Sequence, residues 1–413
     1  MKNNIIKKIN IVLSVLFLYS CIDQMQDAGD AKKVTPVRGT VTIQVNTGFV
    51  TKAGDPGFPT EGLRAVFNNF SENFTKEGIV DERGIVSIDS LIPGIYSVNV
   101  SGKVDYNGQD YYLNGAVSNV SIFEDITEED AIENNKKVPS INIRPAKVGP
   151  LCFREIYYCG VTPYYFRDQT YEIYNNGDEV FYLDSLCFAQ LEPNVATATL
   201  PVWPDEDGVD NYVYGIVVWQ ISGSGKDYPL QPGESFLIVQ EARDHRVNNA
   251  SSFDNSMAEW EAWSGNAGRD NPEVPNIAYV FWDKPNTMQW LTSVFGAAFC
   301  IYKMDTPFDP NNWQTQRFMK IAAGDVMDGV ELLPNMFSFD MKRIPGFVDA
   351  GGTSVGATYC GKSVCRKVTG YREDGTPLYQ DTNNSTDDFE VMDQPMIRRN
   401  GEKVPAWSPA LNN

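Results

Sequence analysis

The sequence predicts an all-β protein composed of two β-sandwich domains, and two features of the chain support this prediction. Apolar and polar residues alternate with a period of two in several short runs, such as the one in which Val41, Ile43 and Val45 would share one face of a strand. Glycine, proline and asparagine separate these runs, as turns do between short antiparallel strands. The 413 residues, 42% hydrophobic and 21% charged, are sufficient for more than one globular core.

The first predicted domain occupies residues 39–147. Its further strands are predicted at residues 63–67, 84–88 and 94–100. The last of these begins after a Pro-Gly pair that is typical of a turn. Residues 81–98, DERGIVSIDSLIPGIYSV, resemble the prealbumin-like β-sandwich of the carboxypeptidase-regulatory type found in bacterial surface proteins. This resemblance implies an immunoglobulin-like sandwich that serves as a structural stalk.

The second predicted domain occupies residues 148–390 and follows a proline-rich boundary around one short strand. Strands are predicted on both sides of Asn176-Gly177, because this pair supplies the positive φ angles of a type I′ hairpin turn. The apolar run at residues 290–302 is predicted to form paired buried strands, since it is shorter than a membrane span. Residues 391–413 are predicted to form a C-terminal tail.

Three segments of the second domain carry a family resemblance. Residues 169–186, 232–239 and 381–389 resemble the lamin-tail domain, an immunoglobulin-like sandwich. Together with the first domain they resemble an uncharacterised family of outer-membrane lipoproteins from Bacteroidetes-type bacteria, defined as a domain of unknown function. The resemblance implies a fold and a location in the envelope, and it implies no activity. Two long insertions, residues 192–215 and 241–275, are where a ligand site is expected, because loops on a rigid scaffold often carry binding residues.

The N-terminal segment predicts a lipid anchor. Three lysines and a short apolar run at residues 9–18 are followed closely by Cys21. This arrangement resembles the lipobox of bacterial lipoproteins, which implies that residues 1–20 are a removed signal peptide, that Cys21 receives the lipid and that residues 21–38 form an acylated tether. The run is shorter than the roughly 20 apolar residues that span a bilayer, so the lipid would hold the protein in the membrane. Because no aspartate follows Cys21 directly, the resemblance favours the outer membrane, on its periplasmic face or on the cell surface.

The formal charge of −20 limits the kinds of molecule that the protein is expected to bind. A strongly acidic surface repels phosphate backbones, so nucleic acid is excluded as a partner. Such a surface suits a soluble ectodomain held near an anionic membrane, and it also suits the capture of cations.

Two acidic segments are candidate calcium sites. Asp205, Asp207 and Asp210 lie in a loop with a glycine bend, and carboxylates spaced in this way offer the hard oxygen ligands that calcium prefers. The full EF-hand spacing is missing, so the alternative is a solvated acidic loop. The members of a second, weaker cluster are Asp381, Asn383, Asp387 and Asp388.

Six cysteines remain besides Cys21. They are Cys152, Cys159, Cys187, Cys300, Cys360 and Cys365. In an exported protein Cys152 could pair with Cys159, and Cys360 with Cys365, since both loops are short enough to close. Equally, all six could be buried small hydrophobic residues. The sequence has no CxxC pair of the kind that binds zinc or exchanges disulfides.

The candidate ligand-binding residues are Glu259, Trp260, Glu261 and Trp263 in the second insertion. Exposed tryptophan rings flanked by carboxylates are typical of surfaces that bind sugars or proteins, because the ring stacks and the acids accept hydroxyl hydrogen bonds. The alternative is packing, since Trp260 and Trp263 would share one face of a short helix that caps the sandwich.

Catalytic motifs are weak in this chain. Residues 356–363 match the P-loop pattern, but the residues that follow alternate as a strand does, so a turn followed by a strand is predicted there. His245 is the single histidine. Because neighbouring residues on a strand point to opposite faces, Asp244 is poorly placed to orient His245, and His245 is predicted to be a hydrogen-bonded loop residue.

The expected function is therefore that of a non-catalytic binding or assembly module anchored to the outer membrane by its lipid. The candidate partner is an outer-membrane transporter, to which the protein would be accessory, or a glycan. Two alternatives stay open. One is a hydrolase of surface glycans, whose paired carboxylates are defined by their separation in space and not by sequence. The other is a calcium-dependent adhesin.

Overall fold

The computed structural model describes residues 34–45, 58–106, 108–133, 137–146, 148–197, 199, 212–262, 268–282, 290–304 and 318–412. The fold is all-β, as the sequence predicts. Cys21, Asp205, Asp207, Asp210 and Trp263 lie outside the described residues, so the expectations for them remain predictions. Within these described ranges, no helix has the length and hydrophobicity needed to cross a bilayer.

The first domain is a sandwich whose strands form one seven-stranded path in the order β3-β2-β5-β6-β7-β1-β4. Neighbours pair antiparallel except β1 and β7, which are parallel. Its elements are β1 (Val37–Val45), β2 (Arg64–Asn69), β3 (Phe74–Ile79), β4 (Ile85–Leu91), β5 (Gly94–Tyr106), β6 (Gln109–Ile122), α1 (Glu128–Ile132) and β7 (Ser140–Ala146).

The alternation predicted for the first strand is confirmed. Val41 and Ile43 are buried in the core of the first domain, whereas Gln44, the residue after Ile43, is exposed. β5 begins at Gly94, as the Pro-Gly turn signal predicts, and its Tyr96 is buried with the hydroxyl donating to the Ile92 carbonyl at 2.6 Å. The tyrosine therefore buries its ring and still satisfies its polar end.

The second domain packs two six-stranded sheets face to face. One sheet has the order β16-β12-β11-β17-β19, with β18 also pairing β12, and the other has the order β15-β14-β9-β8-β20-β23. The strands are β8 (Leu151–Tyr157), β9 (Thr170–Asn175), β10 (Phe181–Tyr182), β11 (Leu186–Leu191), β12 (Tyr212–Gln220), β13 (Pro229–Leu230), β14 (Ser235–Val239), β15 (Trp260–Glu261), β16 (Ala278–Trp282), β17 (Ala298–Lys303), β18 (Met319–Ala322), β19 (Val326–Glu331), β20 (Ser363–Arg366), β21 (Val368–Tyr371), β22 (Pro377–Tyr379) and β23 (Phe389–Met392). Helix α2 spans Ser385–Asp388, and 3-10 helices lie at His245–Val247, Ala323–Asp325, Met336–Met341 and Pro409–Asn412.

Aromatic rings from both sheets fill the space between them. Phe188 and Phe299, on neighbouring strands of the first sheet, stack with ring centroids 5.4 Å apart. Tyr171 of the opposite sheet lies 5.0 Å from Phe188 and 4.8 Å from Phe299. Contacts of this kind combine a large buried area with favourable ring geometry, and they place the core of the second domain here.

Both faces of the β16-β12-β11-β17-β19 sheet are buried. One face lies on the aromatic core, and the other carries a second apolar cluster that is covered by later segments of the chain. Residues of this cluster include Cys187, Ala189, Val218, Cys300, Ile321, Ile344 and Val348. All residues of β11 are consequently buried, and the strand shows none of the alternation expected of a half-exposed sheet.

The segment predicted to be a C-terminal tail covers the outer face of the other sheet. Arg154 on β8 is fully buried beneath it, and its Nε donates to Glu402 at 2.7 Å. Trp407 donates from its indole nitrogen to the Pro229 carbonyl at 2.8 Å. Residues 393–412 are therefore part of the packed second domain.

Two predictions of strand pairing are wrong. β9 pairs with β8 and β14, so Asn176 and Gly177 do not close a hairpin. Their amides both donate to the Pro150 carbonyl, at 2.8 and 3.0 Å, because this neighbouring segment supplies the acceptor that a hairpin partner would have supplied. The apolar run at residues 290–302 contributes one strand, β17, preceded by irregular chain.

The two domains contact each other directly. Phe70 of the first domain stacks on Phe339 of the second with ring centroids 5.3 Å apart. A Cβ atom at Gly346 would lie 2.6 Å from the amide nitrogen of Ala116, so only glycine allows the two backbones to approach this closely. The interface is thus a packed one.

Candidate anion-binding cleft

The predicted aromatic site lies in the core. Trp260 on β15 is 3% exposed, and its ring packs 4.9 Å from Tyr228 and 6.1 Å from Trp407. The prediction of an exposed stacking ring is therefore wrong for Trp260. The physical reason is that β15 pairs in parallel with β14, a core strand, which turns the indole inward.

The carboxylates beside Trp260 are buried and bound within the protein. Glu259 accepts hydrogen bonds from the Leu237 amide at 2.8 Å and from Arg398 at 2.8 Å. Glu261 accepts from the amides of Ala242 at 2.7 Å and Asn271 at 2.9 Å. The prediction that Glu259 and Glu261 accept hydrogen bonds from a ligand is therefore wrong, since they hold loops in place.

The second acidic cluster already contains a cation. Nη1 of Arg366 lies 3.1 Å from Asp388 and 3.2 Å from Asp381, and Nη2 lies 2.7 Å from Asp328. The calcium prediction for this cluster is wrong, because the guanidinium of Arg366 occupies the position beside Asp381 and Asp388 that a metal ion would take. Among the residues that the structure describes, no group of three or more His, Cys, Asp or Glu side chains is arranged to hold a metal ion.

The P-loop match does not form a phosphate cradle. Residues 356–362 form a loop, and strand β20 begins at Ser363, where a nucleotide site would need the start of a helix. The predicted turn followed by a strand is confirmed.

A cleft of about 220 Å³ lies at one end of the second domain. Its lining comes from the loop between β8 and β9 and from the second long insertion. The lining residues are Tyr165, Arg167, Glu241, Arg243, Asn248, Gly268 and Arg269. The second insertion, residues 241–275, is one of the two segments where a ligand site was predicted, and it contributes to the lining of this cleft.

Three guanidinium groups in the cleft converge on a single carboxylate. Glu241 is 2% exposed and lies 3.2 Å from Arg167 and 3.2 Å from Arg243, and it also accepts from Arg269. The side chains of these arginines are 29–36% exposed, so they reach the solvent-filled cleft. The three guanidinium groups carry three positive charges, and the one carboxylate among the lining residues, Glu241, carries a single negative charge. The lining therefore has surplus positive charge in a chain whose formal charge is −20.

Behind the cleft, His245 connects two of the lining residues, Tyr165 and Glu241, through hydrogen bonds. It is fully buried, its Nε2 lies 3.0 Å from the Glu241 carbonyl, and its Nδ1 lies 2.7 Å from the Tyr165 hydroxyl. A carbonyl only accepts, so Nε2 carries the proton and Nδ1 accepts from Tyr165. Burial lowers the pKa of His245 to about 4 and raises that of Tyr165 to about 12, so both groups are neutral near pH 7. The prediction of a hydrogen-bonded loop histidine is confirmed.

A second cleft, of about 410 Å³, lies between the domains but lacks this charge surplus. Arg64 in its lining lies 2.9 Å from Glu77 and 3.1 Å from Asp387. Arg64 therefore lies between two carboxylates, and Nζ of Lys367 donates to the Asp387 carbonyl, so the arginine cleft is the better candidate for ligand binding.

The three arginines of the cleft are not identified by any motif in the sequence. Arg167, Arg243 and Arg269 are far apart in the chain, and no local motif joins them. In the sequence these arginines stand out only as basic residues at the edges of loops in a strongly acidic chain. They indicate a binding site only once the fold has brought the three side chains to one carboxylate.

The fold and the cleft together define an all-β protein of two sandwich domains with an arginine-lined cleft in the second. The sequence profile of the family described as "Protein of unknown function (DUF4876)" matches residues 231–396. The chain is 37% identical to a DUF4876 family protein from Bacteroides thetaiotaomicron VPI-5482 of known crystal structure, with a TM-score of 0.59, covering 91% of this chain and 100% of that one. The chain belongs to the DUF4876 family. This confirms the predicted membership of an uncharacterised Bacteroidetes family.

Two further solved structures match more weakly. A DUF3823 family protein from Parabacteroides merdae ATCC 43184 is 11% identical, with a TM-score of 0.16, over 47% of this chain and 96% of that one. The full-length major pilin SpaD from Corynebacterium diphtheriae is 13% identical, with a TM-score of 0.15, over 43% of this chain and 47% of that one. No curated protein matches the chain.

Proposed function

We propose that this protein is an outer-membrane lipoprotein, anchored through Cys21, whose second domain is a non-catalytic module that binds an anionic group in the arginine cleft. The observation that carries the binding proposal is the convergence of Arg167, Arg243 and Arg269 on Glu241. An anion entering the cleft would gain charge-assisted hydrogen bonds from guanidinium groups that are already held in position.

The chemistry of the cleft favours a carboxylate or sulfate group. The planar fork of a guanidinium matches both groups through paired hydrogen bonds. Glu241 supports this role because it fixes three long, flexible side chains before a ligand arrives, which reduces the entropy lost on binding. A glycan that carries uronic acid or sulfate groups would meet these requirements, in keeping with the glycan expected as a candidate partner.

Binding is tested with three probes of matched size: D-glucuronate, D-glucose 6-sulfate and uncharged D-glucose. Titration calorimetry at low ionic strength should give saturable binding of the two anions and none of glucose, because salt screens exposed charges. Arg243→Gln and Arg269→Gln should each weaken binding at least about tenfold. The matched control is Arg246→Gln, since Arg246 pairs with Asp244 and Asp254 outside the cleft lining.

Equal affinity for glucose and the anions, or unchanged affinity in both cleft variants, would contradict the binding proposal. Anchoring is tested separately by Cys21→Ser. The wild-type protein should fractionate with membranes and incorporate labelled fatty acid, and the variant should do neither, because acyl chains provide most of the membrane affinity. A variant that remains equally membrane-bound would show that the lipid is not the anchor.

A further inference from the structure

Two cysteines far apart in sequence meet at the base of the loop that carries part of the cleft. Cys159 follows β8 and Cys360 lies in the loop before β20, and their sulfur atoms are 3.5 Å apart. The backbone holds both segments around this pair, since the Tyr359 amide donates to the Cys159 carbonyl at 2.7 Å and the Gly361 amide donates to the Gly160 carbonyl at 3.0 Å. Both cysteines are free thiols in this structure.

The pairings expected from short loops are not the ones that the fold brings together. All six described cysteines are free, so neither Cys152 with Cys159 nor Cys360 with Cys365 is bonded. The structure instead places Cys159 beside Cys360. A disulfide bond is about 2 Å long, so side-chain movement of about 1.5 Å would bring these two sulfurs to bonding distance.

The solvent exposure of Cys360 distinguishes this pair from the other thiols. Cys152, Cys187, Cys300 and Cys365 are buried, whereas Cys360 is half-buried and can be reached by an oxidant. Cys187 and Cys300 lie on neighbouring strands, but Cys187 is opposite Tyr302 and Cys300 is opposite Ala189, so the two are not a cross-strand pair. Exchange requires a sulfur that an oxidant can approach, and Cys360 offers one.

We propose that Cys159 and Cys360 are a modification site that closes into a disulfide by exchange with a disulfide oxidant, either oxidised glutathione or the disulfide of a thiol oxidase. Cys360 loses its proton to solvent and attacks one sulfur of the oxidant, which forms a mixed disulfide and releases the first thiolate. Cys159 then gives its proton to the thiolate released in the first step and attacks the Cys360 sulfur, which expels the second thiolate, and this thiolate takes up a proton from solvent. The two cysteines lose two electrons in total, and the oxidant gains them and becomes two thiols.

The order of attack follows from the surroundings of the two sulfurs. Burial, reinforced by the neighbouring Cys360, raises the pKa of Cys159 to about 12. Cys159 is therefore a poor first nucleophile, and it is well placed to resolve a mixed disulfide formed on Cys360. Its sulfur already lies 3.2 Å from the Lys362 carbonyl, in the segment that carries Cys360 into β20.

The bond would fix one side of the arginine cleft. Val161 exchanges backbone hydrogen bonds with Tyr165, at 2.7 and 2.9 Å, so a tight turn connects Cys159 to Tyr165. Arg167 follows two residues later in the same loop, and both Tyr165 and Arg167 line the cleft. The disulfide itself does not depend on the proposed function, whereas its effect on ligand binding does.

The test treats the purified folded protein with oxidised glutathione at pH 8, alkylates the remaining thiols and maps the peptides by mass spectrometry. The expected product is one cross-linked peptide pair, Cys159 with Cys360, two hydrogens lighter than the reduced pair. Because the bond closes a long loop of the unfolded chain, the oxidised protein should melt about 5 °C or more above the reduced protein.

Two variants make the result specific. Cys360→Ser should lose the cross-link and the melting shift, whereas Cys187→Ala, which removes a buried thiol outside the pair, should keep both. Free thiols at both positions after oxidation, or a cross-link through another cysteine, would overturn the proposal. Anion titration of the oxidised protein separates the two proposals, because a cross-linked protein that binds no anion would contradict only the proposed function.

Discussion

Arg366 and Asp328 form a buried ion pair, with Nη2 of the arginine 2.7 Å from Oδ2 of the aspartate, that joins the two sheets of the second domain. Arg366 lies on β20 and Asp328 on β19 of the opposite sheet. Nε of Arg366 also donates to the Phe153 carbonyl at 3.0 Å, and the Phe153 amide donates to Asp328 at 2.7 Å. The pair is thus a polar bridge within an apolar sandwich.

Removing this guanidinium should destabilise the protein strongly. Arg366→Met leaves three buried carboxylates without their cation, and breaking a buried pair in this way costs about 3–5 kcal/mol. Urea unfolding followed by tryptophan fluorescence measures the loss. The control is Arg246→Met, because Arg246 is 55% exposed and ion pairs in solvent contribute little to stability. Equal effects of the two substitutions would contradict the bridging role of Arg366.

Trp260 should behave as a core residue. Trp260→Ala should reduce the free energy of unfolding by about 3–5 kcal/mol, because it removes a ring packed against Tyr228 and Trp407. Trp260→Phe should cost markedly less, since it keeps a ring and removes an indole N–H that is buried without a hydrogen-bond partner. Thermal unfolding of both variants measures the difference. A folded, fully stable Trp260→Ala protein would show that the ring is exposed in solution.

His245 should stay neutral well below its ordinary pKa. The chain has one histidine, so selective ¹³C labelling gives one imidazole signal. That signal should not shift between pH 8 and 5.5 and should move only near pH 4, because burial lowers the pKa to about 4. A midpoint near 6.5 would contradict the buried, neutral tautomer.

The same group makes stability depend on pH with a defined sign. Between pH 6.5 and 4 the unfolded chain binds the proton and the folded chain does not, so the contribution of His245 is complete above pH 6.5 and falls as the pH decreases towards 4. The stability of the wild type relative to His245→Gln should therefore fall by about 3 kcal/mol over this window. Urea unfolding at several pH values measures it, and a constant difference would contradict the assignment.

Gly346 should be intolerant of any side chain. Gly346→Ala places a Cβ atom 2.6 Å from the Ala116 amide nitrogen, so the domains must separate locally, at a cost of about 1–3 kcal/mol. Calorimetry should show a lower melting temperature or two separated transitions. Gly324→Ala is the matched control, because nothing lies within 4 Å of a Cβ atom there and its φ is not positive. An unchanged melting curve for Gly346→Ala would mean that the interface is loose.

The first domain could be predicted from the sequence more fully than the second. Its first strand has one face more buried than the other, so residues such as Val41 and Gln44 show the alternation from which strands are recognised. In the second domain β11 is buried on both faces, and its sequence carries no such alternation. Asn176 and Gly177 have the composition of a hairpin turn, yet Pro150 binds their amides, and that contact is tertiary.

The candidate site shows the same limit. Residues 241–275, where a ligand site was predicted, contribute to the lining of the cleft, but the residue singled out there was Trp260, which is buried. The arginines of the cleft meet only through the fold, around Glu241, and have no shared motif. Cys159 and Cys360 are likewise 201 residues apart, so loop length favoured closer partners.

The two domains have separate sheets, but they share a packed interface. Phe70 stacks on Phe339 there, and Gly346 lies close to Ala116. A protein cut at residue 147 would expose a bare aromatic ring and a strip of uncovered backbone on its second half. Such a fragment would tend to self-associate. Any attempt to study the second sandwich in isolation should therefore replace Phe339 with a polar residue.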